Sequence, residues 1–291
     1  MTPKLTITDK DDVSTGSVVY WSLSGDIDGS RLIDEWQKQG LPIGLLPKLP
    51  SAEAALRHAV YDQRKKHLLT RRHPDGSWYL VRETDDGDGL DYALGAHIWL
   101  DENNSLNGAP MLVGSNAYDN EIASIRTAYY HYRNCLSPED ISGWLCRLTS
   151  KVNGVTLRPE TGGFYYIPRC ELDLWQQATS AIKAASAHTF YAIPALKSEQ
   201  AAAAVLDALR REVEDEAKKL MDELNEGVLG GKALRTRISR TEATRAKVET
   251  YEALLGSKLV DIRTKLEALS ASATAAALTA EAEADTAAGA R

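Results

Sequence analysis

A basic run in the first third of the chain could contact phosphate groups. Its cationic and titratable residues are Arg57, Arg64, Lys65, Lys66, His67, Arg71, Arg72 and His73. Trp78 and Tyr79 follow closely, and aromatic rings beside cations are typical of surfaces that bind nucleic acid. Alternatively, the cations at the end of the helix offset the helix dipole, and the charges on the following edge strand prevent it from pairing with another chain. The sequence leaves both interpretations open.

Three consecutive aromatic residues, Phe164, Tyr165 and Tyr166, stand in the segment 157–168. On a strand, Phe164 and Tyr166 would share one face and Tyr165 would occupy the other. One face, with Arg158 alongside, could stack bases or bind apolar side chains of a partner. The alternative is a core strand with one exposed tyrosine. Tyr165 and Arg158 are the candidate contacts here.

A second basic segment lies in the C-terminal third. Its cationic residues are Lys232, Arg235, Arg237, Arg240, Arg245 and Lys247. Arg237 and Arg240 are candidate contacts to nucleic-acid phosphates. The alternative is that the acidic helix before this segment neutralises it, with Glu212 and Glu216 within reach of Arg245 and Arg240.

Two aspartates follow an apolar strand, in the sequence Gly25-Asp26-Ile27-Asp28-Gly29. This segment resembles the first motif of the haloacid-dehalogenase phosphatases. The resemblance implies a magnesium-dependent phosphohydrolase, with Asp26 as nucleophile and Asp28 as acid and base. That fold needs a parallel sheet built from strand–helix repeats, whereas the strands after Leu68 are expected to form hairpins. The alternative is that Asp28 caps the helix that begins near Arg31.

Residues 197–269 carry the clearest pattern in the chain. Apolar residues recur at steps of seven in two arms, which is typical of helices that supercoil and bury a seam. The glycine-rich segment 227–231 separates the arms and predicts a tight reversal. We therefore predict two long helices that fold back on each other as an antiparallel coiled coil.

The predicted fold class is α+β: a mixed α/β globular domain with antiparallel hairpins, followed by a long C-terminal antiparallel coiled-coil helical hairpin. Of the twenty Phe, Trp and Tyr residues, all but Tyr251 precede Ala192, and a compact core needs such residues. The predicted domains are a loose N-terminus (1–16), the globular domain (17–195, with a division near 115), the coiled-coil hairpin (196–270) and an Ala-rich flexible tail (271–291).

Composition restricts the function further. The net charge of −7 argues against a protein that coats nucleic acid or anionic membrane with its whole surface. The sequence offers no apolar run of membrane-spanning length and no signal-peptide core, so we expect a cytoplasmic protein without membrane contact. Cys135, Cys146 and Cys170 are odd in number and lack zinc-ligand spacing, which favours free thiols in a reducing compartment. We predict no metal, no cofactor and no catalytic residue.

Three segments carry a resemblance to a known family: Val-Val-Tyr-Trp-Ser-Leu-Ser-Gly-Asp-Ile-Asp (18–28), Ala-Ala-Leu-Arg-His-Ala (54–59) and Leu-Arg-Pro-Glu-Thr-Gly-Gly-Phe-Tyr-Tyr-Ile-Pro (157–168). They resemble an uncharacterised bacterial and archaeal family of phage, plasmid and integrated-element proteins, which has a domain of unknown function. The resemblance implies an accessory protein of a mobile element and says nothing about chemistry.

Together these observations predict a non-enzymatic mobile-element accessory protein. It would self-associate as a homo-oligomer, or dock a partner protein, through the coiled coil, and it would bind nucleic acid through its basic patches. One alternative is the magnesium-dependent phosphohydrolase that uses Asp26 and Asp28. The other is a structural scaffold without nucleic-acid contact.

Overall fold

The structure, a computed structural model, describes residues 14–64, 69–85, 90–112, 116–158, 162–225, 231–255 and 259–289. Lys65, most of the predicted loose N-terminus and most of the predicted reversal at 227–231 lie outside these ranges. The chain forms two compact units, which we name the central unit (residues 23–144 and 180–188) and the terminal unit (residues 1–22, 145–179 and 189–291).

The secondary-structure elements are numbered along the chain. They are β1 (Ser14–Ser22), β2 (Ile27–Asp28), α1 (Gly29–Lys38), α2 (Ala52–Arg64), β3 (Leu69–Arg72), β4 (Trp78–Asp85), β5 (Leu90–Leu100), β6 (Leu106–Pro110), α3 (Asp119–Asn134), β7 (Cys135–Leu136), α4 (Pro138–Lys151), β8 (Val155–Thr156), β9 (Tyr165–Pro168), α5 (Leu172–Ala185), β10 (Thr189–Leu196), α6 (Glu199–Asn225), α7 (Gly231–Leu255) and α8 (Val260–Gly289). Short 3-10 helices span Ile43–Leu45 and Arg169–Glu171.

An antiparallel sheet with the strand order β3-β4-β5-β6 dominates the central unit. Helices α2 and α3 pack on one face, where Trp78, Leu80 and Ile98 are buried with Leu56 and Ile125. The predicted hairpin at the start of this sheet is confirmed. Its turn has Gly76 at φ +90°, and the Asp75 carboxylate accepts a hydrogen bond of 2.8 Å from the Ser77 amide.

A side-chain cap determines where helix α1 of the central unit begins. The Asp28 carboxylate accepts a hydrogen bond of 2.9 Å from the Arg31 amide, so Asp28 is the N-cap of α1. Helix α1 then buries Leu32 and Trp36. Strand β2 pairs antiparallel with β7 over two residues.

In the terminal unit, a four-stranded antiparallel sheet has the order β10-β1-β9-β8. Its central strand β1 pairs Val19 with Ala192 on one side and Val18 with Tyr166 on the other. A single core joins this sheet to the C-terminal helices. Its members include Val155, Tyr166, Val205, Leu209, Val213, Val248, Tyr251, Ile262 and Leu266.

The predicted long coiled-coil hairpin is wrong. Its second arm is divided, because α7 ends at Leu255 and α8 begins at Val260, and α8 packs against both α6 and α7. The apolar positions therefore meet in a core that several helices share with Val155 and Tyr166, instead of a two-helix seam. The Ala-rich segment from 271, predicted as a flexible tail, continues α8 as far as Gly289.

A buried lysine forms an ion pair in the terminal unit. The Lys247 ammonium donates hydrogen bonds of 2.6 and 2.7 Å to the Glu212 carboxylate and one of 2.6 Å to the Gly154 carbonyl. Only 5% of the Lys247 side chain is exposed. This burial lowers the pKa of Lys247, while the Glu212 charge opposes the shift. The bond links α6, α7 and the segment that leads into β8.

We expect Lys247→Met to destabilise the protein by about 1–3 kcal/mol, because it leaves the buried Gly154 carbonyl and the Glu212 carboxylate, whose side chain is 35% exposed, without their partner. The matched control is Lys265→Met. Lys265 binds Glu214 at a similar distance, 2.7 Å, but both side chains are more than half exposed. This control should cost less than about 1 kcal/mol. Urea denaturation measures both values, and equal losses would contradict the proposed role of burial.

Candidate nucleic-acid interface

The face of the β3–β6 sheet opposite helices α2 and α3 carries a row of stacked rings. Side chains alternate between the two faces of a strand, so Tyr79, His97 and Trp99 point away from the buried Trp78, Leu80 and Ile98. The Tyr79 and His97 rings stack with centroids 4.6 Å apart and an interplanar angle of 14°. The His97 and Trp99 rings stack at 4.8 Å and 25°. We call this set the aromatic ladder, and its side of the sheet the open face.

Strand pairing places two rings of the ladder, Tyr79 and His97, in a row of residues that runs across all four strands. Arg71 pairs with Tyr79, Tyr79 with His97, and His97 with Ala109, so one residue from each strand lies in the same row. Neighbouring strands are ~4.8 Å apart, which gives the row a length of roughly 14 Å. Beyond a bulge between Leu80 and Val81, Leu94 of β5 is 51% exposed and pairs with Val81, which is 6% exposed.

Arg71 supplies the positive charge at one end of the row. Its side chain is exposed and forms no ion pair or hydrogen bond with any residue that the structure describes. The neighbouring cationic candidate, His73, lies against the edge of the Tyr79 ring with centroids 5.9 Å apart. His73 also contacts Asp75 at 3.0 Å. Hydrogen bonds from Ser77 lower the pKa of Asp75 to about 2, so this carboxylate stays ionised.

The centre of the ladder contains a polar atom without a partner. The Nε2 atom of His97 is buried and makes no hydrogen bond within the described ranges. A buried polar group without a partner costs roughly 1–3 kcal/mol.

The two adjacent arginines of the predicted basic patch point to opposite faces. Arg72 pairs with Trp78 and lies on the helix-covered side, where it lines a groove of about 250 Å³ together with Arg57 and Glu53. Only Arg71 joins the ladder. Arg64 is the last residue of α2, its side chain lies outside the described residues, and so does all of Lys65. The predicted patch is therefore not one continuous surface in the described structure.

The aromatic strand of the terminal unit is packed inward. Tyr165 stacks on Trp21 with centroids 5.1 Å apart, and its hydroxyl lies 3.2 Å from the Cys146 thiol. Burial raises the pKa of Tyr165 to about 12. Tyr166 is 1% exposed, whereas Phe164 is 40% exposed. The Tyr165 ring thus already stacks within the protein, and its role as a nucleic-acid contact stays a prediction. Arg158 is exposed in the same unit.

The basic residues of α7 are engaged in ion pairs. Arg237 pairs with Glu223, and Arg240 lies 3.5 Å from Glu216, as the alternative interpretation expected. Arg245 instead lies 3.6 Å from Glu267 on α8. Arg240 also lines a polar cleft of about 830 Å³ whose other cations include Arg147 and Lys151. Glu212 and Glu216 line the same cleft, so its positive charge is partly balanced.

The two aspartates of the phosphatase-like segment have other partners. The Asp26 carboxylate lies 2.6 Å from the Nε2 atom of His131, and Asp28 caps α1. Within the ranges that the structure describes, no group of three or more His, Cys, Asp or Glu residues is placed to hold a metal ion. Strand β2 is antiparallel to its neighbour β7, whereas the phosphatase fold requires a parallel sheet. The geometry therefore gives Asp28 the capping role.

Comparison with known proteins places the chain in one family. The chain belongs to DUF6744, a family of unknown function whose model matches residues 15–284. A search of curated proteins found no match, and neither did a search of solved structures. The predicted resemblance to an uncharacterised family is thus confirmed at this level, while the association with phages and plasmids stays a prediction. Across the described helices, none is both long and apolar enough to cross a membrane.

Sequence reasoning missed His97 and Trp99. Part of the signal was present, because both are aromatic residues two positions apart in the sequence of β5. They share a face with Tyr79 only through the cross-strand register, which the sequence did not specify.

Replacing His97 with Phe tests the unsatisfied nitrogen. His97→Phe keeps an aromatic ring in the stack and removes the buried polar atom, so we expect the free energy of unfolding to rise by up to about 1–3 kcal/mol. The control is His58→Phe, because His58 is exposed on α2. This change should stay within about 0.5 kcal/mol. A clear loss of stability in His97→Phe, measured by urea denaturation, would show that the imidazole has a partner.

Proposed function

We propose that this protein is a non-catalytic binder of single-stranded nucleic acid that uses the open face of the β3–β6 sheet. Because Tyr79 and Trp99 cover both faces of the His97 ring, unpaired bases stack on the outer faces of Tyr79 and Trp99 at the two ends of the aromatic ladder, and Arg71 contacts a phosphate beside Tyr79. The observation that carries the proposal is the aromatic ladder of Tyr79, His97 and Trp99, with Arg71, which has no ion-pair partner in the described structure, beside Tyr79 on β3.

Stacking is the main expected source of affinity. Each base that stacks on an aromatic side chain contributes ~1–3 kcal/mol with little dependence on sequence, because every base has a flat π face. The electrostatic contribution should be smaller, since the chain has a net charge of −7 and the ladder has one adjacent arginine. Binding should therefore depend less on salt than it does for strongly basic proteins.

The geometry favours single strands over duplexes. Bases in a duplex are already stacked on one another and show only their edges to a protein. A sheet face that carries half-buried rings instead suits bases that are splayed out. The four-stranded sheets that stack two or three bases of RNA bind in this way. The two helices on the far side support the sheet.

The biological setting is part of the same proposal. The resemblance noted in the sequence supports an accessory role in a phage, plasmid or integrated element, where single-stranded intermediates are common ligands. The cysteines are free in the structure, which supports the cytoplasm as its location. Self-association, expected from the sequence, remains compatible with this role but needs a surface other than a coiled-coil hairpin.

Trp99→Leu and Tyr79→Leu test the stacking. We expect each change to weaken binding of fluorescein-labelled poly(dT) or poly(U) by about 5- to 150-fold, which corresponds to one lost base stack. Fluorescence anisotropy measures the affinity, and circular dichroism confirms the fold. Tyr130→Leu is the matched control, because Tyr130 is 45% exposed but lies on α3. It should leave affinity unchanged.

Arg71→Gln tests the phosphate contact. On single strands, the loss of one contact should reduce the slope of log affinity against log salt by ~0.7. Arg72→Gln is the control, since Arg72 is the next residue of the same strand and lies on the helix-covered face. It should leave the slope unchanged. Absence of binding by the wild-type protein at low salt would contradict the proposal and favour a scaffold without nucleic-acid contact.

A further inference from the structure

The polar cleft that Arg240 lines belongs wholly to the terminal unit. Its walls come from α4 and the segment after it, from α6 and from α7, and its volume is about 830 Å³. Small-molecule sites commonly occupy roughly 300–1,000 Å³. The charged residues that line the cleft are Arg147, Lys151, Glu212, Glu216, Arg240 and Lys247. Cations therefore outnumber carboxylates by two.

Both carboxylates of the cleft are compensated within the protein. Glu212 accepts hydrogen bonds of 2.6 and 2.7 Å from Lys247, which also donates to a backbone carbonyl and so uses all three of its N–H groups. Glu216 lies 3.5 Å from Arg240 and 3.9 Å from Arg237. The positive charge that remains available to a ligand therefore comes from other residues.

Arg147 and Lys151 supply that charge. Both side chains are exposed, and neither forms an ion pair or hydrogen bond with any residue that the structure describes. They stand four positions apart on α4, so they share one face of the helix with Cβ atoms ~5–6 Å apart. The dipole at the end of α4 is equivalent to roughly half a negative charge. Lys151, the last residue of α4, offsets this dipole, which leaves Arg147 without a structural partner.

We propose that this cleft binds a small, multiply charged phosphate compound, with its phosphate groups on Arg147, Lys151 and Arg240. A guanidinium group contacts two phosphate oxygens at once, and an ammonium group on the same helix face adds a point charge. Arg240 faces the cleft from α7, and its side chain is 58% exposed. Its contact with Glu216 is longer than a normal N–H···O bond, so Arg240 retains donors for an anion.

The charges and the lining favour a compact phosphate compound over a nucleic-acid strand. A phosphate monoester carries about −1.5 to −2 charges at pH 7, which the two surplus cations balance. A long polyanion would extend beyond the cleft over a protein whose net charge is −7. The described residues that line the cleft include no aromatic ring, so a base has nothing to stack on. This site is therefore independent of the aromatic ladder.

Titration calorimetry of the full-length chain with pyrophosphate at low salt tests the site. We expect Arg147→Gln and Lys151→Gln each to weaken pyrophosphate binding by about 10- to 150-fold, which corresponds to one lost charge-assisted hydrogen bond. Both side chains are exposed, so circular dichroism should show an unchanged fold. Arg158→Gln is the matched control. It removes the same charge in the terminal unit but is not among the described residues that line the cleft, and it should leave the affinity unchanged.

Further ligands define the chemistry of the site. Tighter binding of ADP than of pyrophosphate would identify a nucleotide, and equal or weaker binding a phosphate compound without a nucleoside. Tyr79→Leu should leave the pyrophosphate affinity unchanged, because Tyr79 lies in the central unit. Absence of pyrophosphate binding by the wild-type chain, an equal loss in Arg158→Gln, or equally tight binding of sulfate would overturn the proposal. Displacement of pyrophosphate by oligo(dT) would also overturn it, because the cleft would then be a nucleic-acid groove.

Discussion

The alternation of side chains along strands β3–β6 is the constraint on which the proposed interface depends. Trp78, Leu80 and Ile98 point to helices α2 and α3, so Tyr79 and its stacked neighbours must point to the opposite face. A shift of one residue in register would exchange the two sets and bury the ladder. Because the helix-covered face has a dense apolar core, that register is strongly specified. The core residues on one face thus determine where the rings lie on the opposite face.

The terminal unit depends on a different principle, which is the sharing of one core between a sheet and several helices. Tyr166 of β9 and Tyr251 of α7 belong to the same buried cluster, and Lys247 bonds both Glu212 and the Gly154 carbonyl. A buried ammonium ion is tolerated only when such partners compensate its desolvation. These contacts tie the C-terminal helices to the sheet.

Local signals in the sequence predicted local structure well. The Pro74-Asp75-Gly76 turn marked the first hairpin of the central sheet, and Asp28 was identified as a helix cap. The seven-residue repeat of the C-terminal third correctly indicated helices but not their partners. A repeat identifies an apolar stripe, and that stripe can face one helix, two helices or a sheet. The environment of Tyr165 could not be predicted for the same reason, because it depends on the contact with Trp21, which lies far away in sequence.

Photo-crosslinking tests the central claim most directly. The wild-type chain would be irradiated with single-stranded oligonucleotide at low salt, and the modified peptides would be located by mass spectrometry. If the open face binds bases, the crosslinks should fall on Tyr79, His97 or Trp99, whose rings form the ladder. Crosslinks confined to the cleft lined by Arg147 and Arg240, or no crosslink to any strand, would contradict the assignment of this face as the nucleic-acid interface.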